Sequence, residues 1–216
     1  MDRRQFCLAA ASAALAACSA PPTLQTGIRR AYIVHGYGAT PSDHWFPWLA
    51  GRLQGKGIRT NAIPMPNSSH PDFDRWQQTL AAHIGKPQSS DVFIAHSLGN
   101  ISLLHYLSQQ RPQRIGGLVL VSGFGARLPN LPSINSYNID AYVDKARIDD
   151  AAIHHMSPAI YSIISENDRI VAPQESLKLA QRLNSKVIKV PNGGHFLADD
   201  GFTQLPQVWQ AVEAML

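Results

Sequence analysis

The chain has 216 residues, of which 44% are hydrophobic and 16% charged, and its formal net charge is +4. This length and composition are typical of one globular domain with a sizeable core, and they exclude a disordered chain. No cluster of lysine and arginine stands out along the chain, so we expect no nucleic-acid partner.

The first 22 residues resemble a bacterial targeting segment. An arginine pair at 3–4 resembles a twin-arginine export signal, and the alanine-rich run behind it is too short to span a bilayer stably. The run LAAC at 15–18 resembles a lipobox, which predicts a cleaved signal at 1–17, an acylated Cys18 and a tether at 18–29. A plain signal that is cleaved at one of the alanines is the alternative.

The targeting segment predicts an exported, periplasmic protein. If the lipobox is processed, the protein is a membrane-anchored lipoprotein, with Ser19 favouring the outer membrane, and its only membrane contact is the lipid on Cys18. Cys7 then leaves with the signal, and the domain at 30–216 has no free thiol and no disulfide. A Cys–His protease and a cysteine metal site are therefore excluded.

From residue 30 onward, strand-like and helix-like patterns alternate to the end of the chain. This alternation predicts an α/β fold with a mainly parallel central sheet and helices on both faces. Short apolar runs predict six strands, at 31–34, 58–63, 92–95, 115–121, 159–164 and 186–190. Helical spacing of apolar residues predicts five helices, at 42–53 with Ser42 or Asp43 as the cap, 72–84, 100–109, 173–183 and 205–216. Residues 124–156 are only weakly periodic, and we expect a small insertion or partial cap there.

A sharp junction between a strand and a helix lies at Ser97. The apolar run 92–95 stops there, and a helical pattern begins at once. This is the pattern of a nucleophile elbow, which lifts a serine Oγ above the edge of a parallel sheet. The usual motif is Gly-x-Ser-x-Gly, and here Ala95 replaces the first glycine while Gly99 keeps the second. A serine that merely caps the helix is the alternative interpretation.

Two loops beyond predicted strand ends supply an acid and a histidine. Ligands of open α/β sheets bind beyond the carboxyl ends of the strands, and Asp168 and His195 follow the last two strands. The chain order serine, acid, histidine is that of α/β-hydrolases. In such a triad the histidine takes the serine proton, and the carboxylate orients the histidine and stabilises its cation. Glu166, Asp199 and Asp200 are the competing candidates for the acid.

The oxyanion of an acyl-transfer reaction needs hydrogen-bond donors. The backbone N–H of Leu98, directly after the serine, is one candidate. The N–H of Tyr37 is the other, because Gly36 permits close approach of the loop after the first strand. An ordinary turn is the alternative interpretation of that loop. Among the other histidines, His96 is expected to pack or to form a hydrogen bond inside the elbow.

Seven short segments together resemble one family. They are HGY at 35–37, HWFPWL at 44–49, MPN at 65–67, AHSLG at 95–99, LVSGF at 120–124, DRIV at 168–171 and GGHFL at 193–197. The set is similar to the small serine hydrolases related to retinoblastoma-binding protein 9 and YdeN, over about residues 30–216. The resemblance implies an α/β-hydrolase fold with a small or absent cap, a triad of Ser97, Asp168 and His195, and esterase-type activity.

These features favour a carboxylesterase that acts on small or short-acyl esters through an acyl-enzyme intermediate. The expected partner is a small ester or acyl substrate, with no metal and no cofactor. The alternatives are a catalytically silent fold that binds a ligand, and an acyltransferase or peptidase that uses the same triad. Loops that flank the serine carry Tyr37, Met65, Phe124 and Phe196, which are expected to form a small apolar acyl pocket. Core packing is the alternative interpretation of Tyr37, Met65 and Phe196.

Overall fold

The structure is a computed structural model that describes residues 27–216. The predicted signal at 1–17, the arginine pair at 3–4, Cys18 and most of the tether at 18–29 lie outside the described residues. No helix within residues 27–216 is long and apolar enough to cross a membrane.

A six-stranded parallel sheet forms the centre of the described part of the chain. The strands of residues 27–216 are β1 (Arg30–Val34), β2 (Arg59–Ile63), β3 (Asp91–His96), β4 (Gly117–Val121), β5 (Ser133–Ile134), β6 (Tyr137–Asn138), β7 (Ile160–Ser165) and β8 (Lys186–Val190). The central sheet has the order β2-β1-β3-β4-β7-β8, and all of its neighbours are parallel. Strands β5 and β6 pair separately as a small antiparallel hairpin. The predicted mainly parallel sheet is confirmed.

Helices cover both faces of the central sheet. They are α1 (Phe46–Gly55), α2 (Phe73–Ile84), α3 (Leu98–Gln110), α4 (Ile139–Val143), α5 (Asp150–Met156), α6 (Pro173–Arg182) and α7 (Pro206–Glu213). Buried side chains of α1 and α7 form one apolar layer, and those of the other helices form the second layer on the opposite face. The inner strands β3 and β4 are buried on both faces, which is why they are apolar almost throughout.

The first helix begins later than the sequence predicts. Neither Ser42 nor Asp43 caps it, because the Asp43 carboxylate turns back and accepts hydrogen bonds from the N–H and the hydroxyl of Thr40. The helix begins at Phe46, with Pro47 in its first turn, where a missing N–H costs nothing. Residues 41–45 form turns instead, and they carry aromatic side chains toward the edge of the sheet where the site lies.

The segment 124–156 is a small insertion, as predicted, and it holds the hairpin β5–β6 and the helices α4 and α5. Its apolar residues join the core on the α3 side, where α5 packs directly on α3. The hydroxyl of Tyr137 donates to the carbonyl of Pro71 at 2.6 Å, which ties the hairpin to the loop before α2. The insertion is thus too small and too well packed to form a large lid.

Candidate active site

Ser97 lies in the strained turn between β3 and α3. Its φ is 53° and its ψ is −127°, a conformation that costs a non-glycine residue about 1–3 kcal/mol. The Ser97 N–H donates to the carbonyl of Val121 on the neighbouring strand at 3.0 Å, so the sheet holds the turn in place. The side chain is 9% exposed. This geometry is that of a nucleophile elbow, in which a strand-to-helix turn presents a serine at the sheet edge.

Glycine is required on two sides of this turn. A Cβ on Gly99 would lie 2.5 Å from the carbonyl oxygen of His35, because α3 crosses the end of β1 at backbone contact distance. A Cβ on Gly36 would lie 2.8 Å from the Cβ of Ser97. Ala95 replaces the first glycine of the usual motif without difficulty, since its methyl is fully buried between the core neighbours of β3.

The structure brings Ser97, His195 and Asp168 into one hydrogen-bonded row. Nε2 of His195 lies 2.9 Å from Oγ of Ser97, and Nδ1 of His195 lies 2.8 Å from Oδ2 of Asp168. A carboxylate only accepts hydrogen bonds, so the Nδ1 of the imidazole carries the proton and its Nε2 accepts from the serine hydroxyl. Asp168 and His195 are each 6% exposed. This tautomer is the one that a base for the serine proton requires.

Asp168 is held by three further donors. Its Oδ1 accepts from the N–H groups of Ile170 at 2.9 Å and Val171 at 3.0 Å, and its Oδ2 also accepts from the hydroxyl of Ser122 at 2.7 Å. Ser122 directly follows β4, is 1% exposed and has a positive φ of 43°. Sequence reasoning quoted Ser122 only as part of the family pattern. Its position directly after a buried strand is the signal that could have identified it.

The competing acids do not contact the imidazole of His195. Glu166 and Asp199 are exposed. Asp200 contributes to the loop in another way, because its Oδ2 accepts from the N–H of His195 at 2.8 Å and from the N–H of Leu197 at 3.1 Å. Asp200 therefore orients the backbone of His195, while Asp168 alone among these acids orients its side chain.

The two expected oxyanion donors flank the serine. The N–H of Leu98 opens α3, where the helix dipole favours negative charge. Within residues 27–216 neither this N–H nor that of Tyr37 has an acceptor at hydrogen-bond distance. Nε2 of His35 accepts from the N–H of Met65 at 3.0 Å, so its protonated Nδ1 donates to the carbonyl of Gly36 at 3.0 Å. That bond fixes the peptide plane between Gly36 and Tyr37. The N–H of Tyr37 therefore points in the direction opposite to the carbonyl of Gly36.

His96 is buried directly behind His195. Its Nε2 lies 2.9 Å from the carbonyl oxygen of His195, and the two imidazole ring centres are 4.9 Å apart. Burial, and next the nearby His195, lower the pKa of His96 well below its ordinary value, so this ring is neutral near pH 7. Burial also lowers the pKa of His35 and of His44. His96 thus forms a hydrogen bond inside the elbow, as the sequence suggested.

A narrow apolar cavity adjoins Ser97. Its lining comes from the serine turn, the segment 124–156 and the loop after β7. The lining residues are Tyr37, Ser97, Leu98, Phe124, Leu128, Leu131, Ile134, Ile139, Ile170 and Val171. Tyr37 and Phe124 thus line the cavity, as predicted for an acyl pocket. Met65 and Phe196 are instead buried in the two core layers. The aliphatic residues of the insertion were missed because weak periodicity does not show which way they face.

The described residues contain no group of three or more histidine, cysteine, aspartate or glutamate side chains placed to hold a metal ion.

The fold and the serine turn define a hydrolase of the α/β-hydrolase class, and comparison with known proteins agrees. A family model described as serine hydrolase matches residues 31–214. The chain therefore belongs to the serine hydrolase family. Within it, the chain is similar to YdeN of Bacillus subtilis (strain 168), a hydrolase by its name, with 36% identity over 185 residues that cover 85% of this chain and 94% of YdeN.

Solved structures give the same result. The crystal structure of the B. subtilis ydeN gene product superposes with a TM-score of 0.79 at 33% identity, covering 87% of this chain and 98% of that chain. A YdeN-like hydrolase from Pectobacterium atrosepticum has a TM-score of 0.62 at 21% identity, covering 87% and 89%. Est1E from Butyrivibrio proteoclasticus has a TM-score of 0.63 at 14% identity, covering 87% of this chain and 90% of Est1E. The last two show the fold alone.

These comparisons confirm the predicted resemblance to YdeN-like hydrolases and the α/β-hydrolase fold. They do not show a link to retinoblastoma-binding protein 9.

Proposed function

We propose that this chain is a serine carboxylesterase that hydrolyses small or short-acyl esters through an acyl-enzyme intermediate on Ser97. One observation carries the proposal, namely the continuous row from Oγ of Ser97 through the imidazole of His195 to the carboxylate of Asp168, with contacts of 2.9 and 2.8 Å. These distances are within the range that direct proton transfer needs. All three side chains lie beyond the carboxyl ends of strands of one parallel sheet, β3, β7 and β8, which is where such sheets bind ligands.

In the proposed reaction, Oγ of Ser97 attacks the ester carbonyl while Nε2 of His195 takes the hydroxyl proton. Asp168 stabilises the resulting imidazolium through Nδ1. The N–H groups of Leu98 and Tyr37 stabilise the oxyanion of the tetrahedral intermediate. His195 then gives its proton to the leaving alkoxide, which departs as an alcohol and leaves an acyl-Ser97 ester. Water, activated by His195, attacks this ester, and the carboxylic acid and free Ser97 are formed.

The narrowness and the apolar lining of the cavity support a short acyl group. Its walls are aliphatic and aromatic, and beyond the Ser97 hydroxyl and the hydroxyl of Tyr37 they present no polar side chain. An apolar chain gains about 0.8 kcal/mol for each methylene that it buries, and this gain stops when the space is full.

Covalent labelling tests this proposal. A fluorophosphonate should phosphonylate the folded protein at Ser97, and peptide mass spectrometry should locate the adduct there. Ser97→Ala should abolish labelling and lower kcat for p-nitrophenyl acetate by about 10⁴-fold or more, with a residual rate from the oxyanion donors. Ser69→Ala, which removes an exposed serine, is the matched control and should retain full activity. Absent labelling would indicate a silent fold, and amide cleavage without ester turnover would indicate a peptidase.

Export and lipidation form a separate proposal that rests on the sequence at 3–4 and 15–18 alone. In a bacterial host, the mature protein should begin at an acylated Cys18 and fractionate with the membrane. Globomycin should block its processing, and Cys18→Ser should release it from the membrane fraction. A mature protein that begins at Ala20 or later and stays in the soluble fraction would contradict lipidation.

A further inference from the structure

One side chain connects the strand of the nucleophile with the loop of the base. His96 is the last residue of β3 and immediately precedes Ser97, and its Nε2 lies 2.9 Å from the carbonyl oxygen of His195. A carbonyl oxygen only accepts, so Nε2 of His96 is the donor. The imidazole rings of the two histidines also pack together, with centres 4.9 Å apart. His96 therefore holds both the backbone and the ring of His195 at a fixed distance from the serine turn.

Three consecutive aromatic residues surround His96. We call His44, Trp45 and Phe46 the aromatic box. Their ring centres lie 6.0, 6.1 and 5.9 Å from that of His96, and Trp45 meets it edge-on at 86°. Nδ1 of His44 accepts from the N–H of Ala198 at 3.0 Å, so the box also holds the loop that follows His195. These residues begin the HWFPWL run, one of the segments of the family resemblance, and the triad itself does not use them.

Two buried polar atoms in this group have no partner among residues 27–216. They are the indole Nε1 of Trp45, a donor, and Nδ1 of His96, which is an acceptor when Nε2 carries the proton. A buried polar atom without a partner costs about 1–3 kcal/mol. An all-apolar packing of the same shape would avoid both costs. One atom is a donor and the other an acceptor, and they belong to rings whose centres lie 6.1 Å apart.

We propose that His96 is a positioning residue for His195 and that the aromatic box, through Trp45, fixes the orientation of His96. The proposal rests on the assignment of His195 as the base for Ser97. Asp200 holds the N–H of His195 and Asp168 holds its Nδ1, and the bond from His96 fixes the remaining backbone group, the carbonyl. A displacement of about 1 Å in a catalytic group costs on the order of 10²-fold in rate.

Two substitutions at His96 separate the hydrogen bond from the packing. His96→Phe keeps a ring between the box and His195 but removes the donor, and it should lower kcat for p-nitrophenyl acetate by about 10- to 100-fold, with KM changed by less than about twofold. His96→Gln restores a donor near the position of Nε2 and should recover kcat to within about threefold. The rate of fluorophosphonate labelling of Ser97 should follow kcat in both variants.

The matched control is His105→Phe. Nδ1 of His105 accepts from the N–H of Arg147 at 2.9 Å, so this change also removes a bond between a histidine and the backbone, but remote from Ser97. It should leave kcat unchanged. Thermal unfolding of each variant identifies any loss of folded protein. Full activity in folded His96→Phe, or no recovery in folded His96→Gln, would overturn the proposal.

A second pair of variants tests the role of the box. Trp45→Phe replaces the indole that packs edge-on against His96 with a smaller ring. It should lower kcat in the otherwise unchanged protein, but it should have little further effect when combined with His96→Phe. Trp209→Phe, at another buried tryptophan, is the control for lost indole volume. If Trp45→Phe lowers kcat equally in the unchanged protein and in His96→Phe, the aromatic box does not act through His96, and this role would be overturned. If His96→Phe does not fold, Trp45→Phe and His96→Gln decide: the proposal requires a lower kcat in the former and near-normal kcat in the latter.

Failure of this inference differs from failure of the esterase proposal. If Ser97 of the unchanged protein is not labelled, the proposed function is wrong. If Ser97 is labelled normally and the His96 variants label at the same rate, only the positioning role is wrong.

Discussion

The hydroxyl of Ser122 donates a 2.7 Å hydrogen bond to the same carboxylate oxygen of Asp168 that accepts from Nδ1 of His195. The other oxygen accepts from two backbone N–H groups, so four donors surround this carboxylate. Such an arrangement stabilises the ionised acid and prevents its rotation away from the imidazole. Ser122 thereby connects the end of β4 with the acid after β7.

Loss of the Ser122 hydroxyl should weaken catalysis without removing it. Ser122→Ala leaves three donors on Asp168, and we expect kcat to fall by about 10-fold, since a hydrogen bond to a charged group is worth about 1.5–3 kcal/mol. Steady-state kinetics with p-nitrophenyl acetate measure this change. Ser162→Ala is the control, because it also removes a buried hydroxyl with one partner, but away from the site. Unchanged kcat in Ser122→Ala would contradict a role in orienting the acid.

The identity of the acid can be tested by comparing two carboxylates of one loop. Asp168→Asn should keep substrate binding but lower kcat by about 10⁴-fold, because an amide stabilises the wrong tautomer of His195. Glu166→Gln should change kcat by less than about twofold, since the Glu166 side chain is exposed and does not contact the imidazole. Kinetics on the two variants side by side decide the matter, and the reverse pattern would make Glu166 the acid.

Gly36 should be required for activity because of its distance from the nucleophile. In Gly36→Ala the new methyl would lie 2.8 Å from the Cβ of Ser97 and 3.3 Å from the N–H nitrogen of Leu98, so the loop or the serine must move. We expect kcat to fall by about 10- to 100-fold and the free energy of unfolding to fall by about 1–3 kcal/mol. Gly51→Ala in α1 meets no atom within 4 Å and should leave kcat unchanged. Full activity in Gly36→Ala would mean that the loop does not supply an oxyanion donor.

Acyl-chain preference should follow the cavity beside Ser97. We expect p-nitrophenyl esters from acetate to about hexanoate to be hydrolysed faster than palmitate, with no activation by lipid interfaces, since each buried methylene adds about 0.8 kcal/mol only until the cavity is full. Ile134→Ala, in the hairpin that lines the cavity, should shift the preferred chain to a longer one. Val187→Ala, at an exposed residue of β8, is the control. A sharp rise on long-chain emulsions would indicate a lipase instead.

The stability of the protein should decrease below pH 6.5. Burial lowers the pKa of His96 in the folded state, whereas the pKa of an unfolded histidine is about 6.5. Below that value the unfolded chain binds the proton and the folded chain does not, so His96 costs up to about 1.4 kcal/mol of stability per pH unit. Urea unfolding at pH 7.5 and 5.5 measures the decrease. His96→Gln should show a smaller decrease than the unchanged protein, and an equal decrease would place the sensitivity elsewhere.

The sequence alone determined the parallel sheet, the serine turn and the two loops of the acid and the histidine. Local patterns carry these features. A buried parallel strand is a continuous apolar run, and the residue that follows it must lie at the sheet edge, so Ser97, Asp168 and His195 could be placed together before any contact was known. The alternation of strands and helices is equally local, which is why the predicted strands agree with the structure to within one or two residues at most ends.

Only the tertiary structure decided which residues support Ser97, Asp168 and His195 and what surrounds these side chains. The bond from Ser122 to Asp168 joins positions 46 residues apart, and that from His96 to His195 joins positions 99 apart. Neither hydrogen bond produces a periodic sequence pattern. A serine or histidine at a strand end has the same sequence context whether its side chain contacts another residue or the solvent. The cavity walls in 124–156 depend likewise on how the hairpin packs over Ser97, and the start of α1 depends on which partner the Asp43 carboxylate finds. Such choices between partners are made by packing across the whole chain, which sequence patterns do not encode.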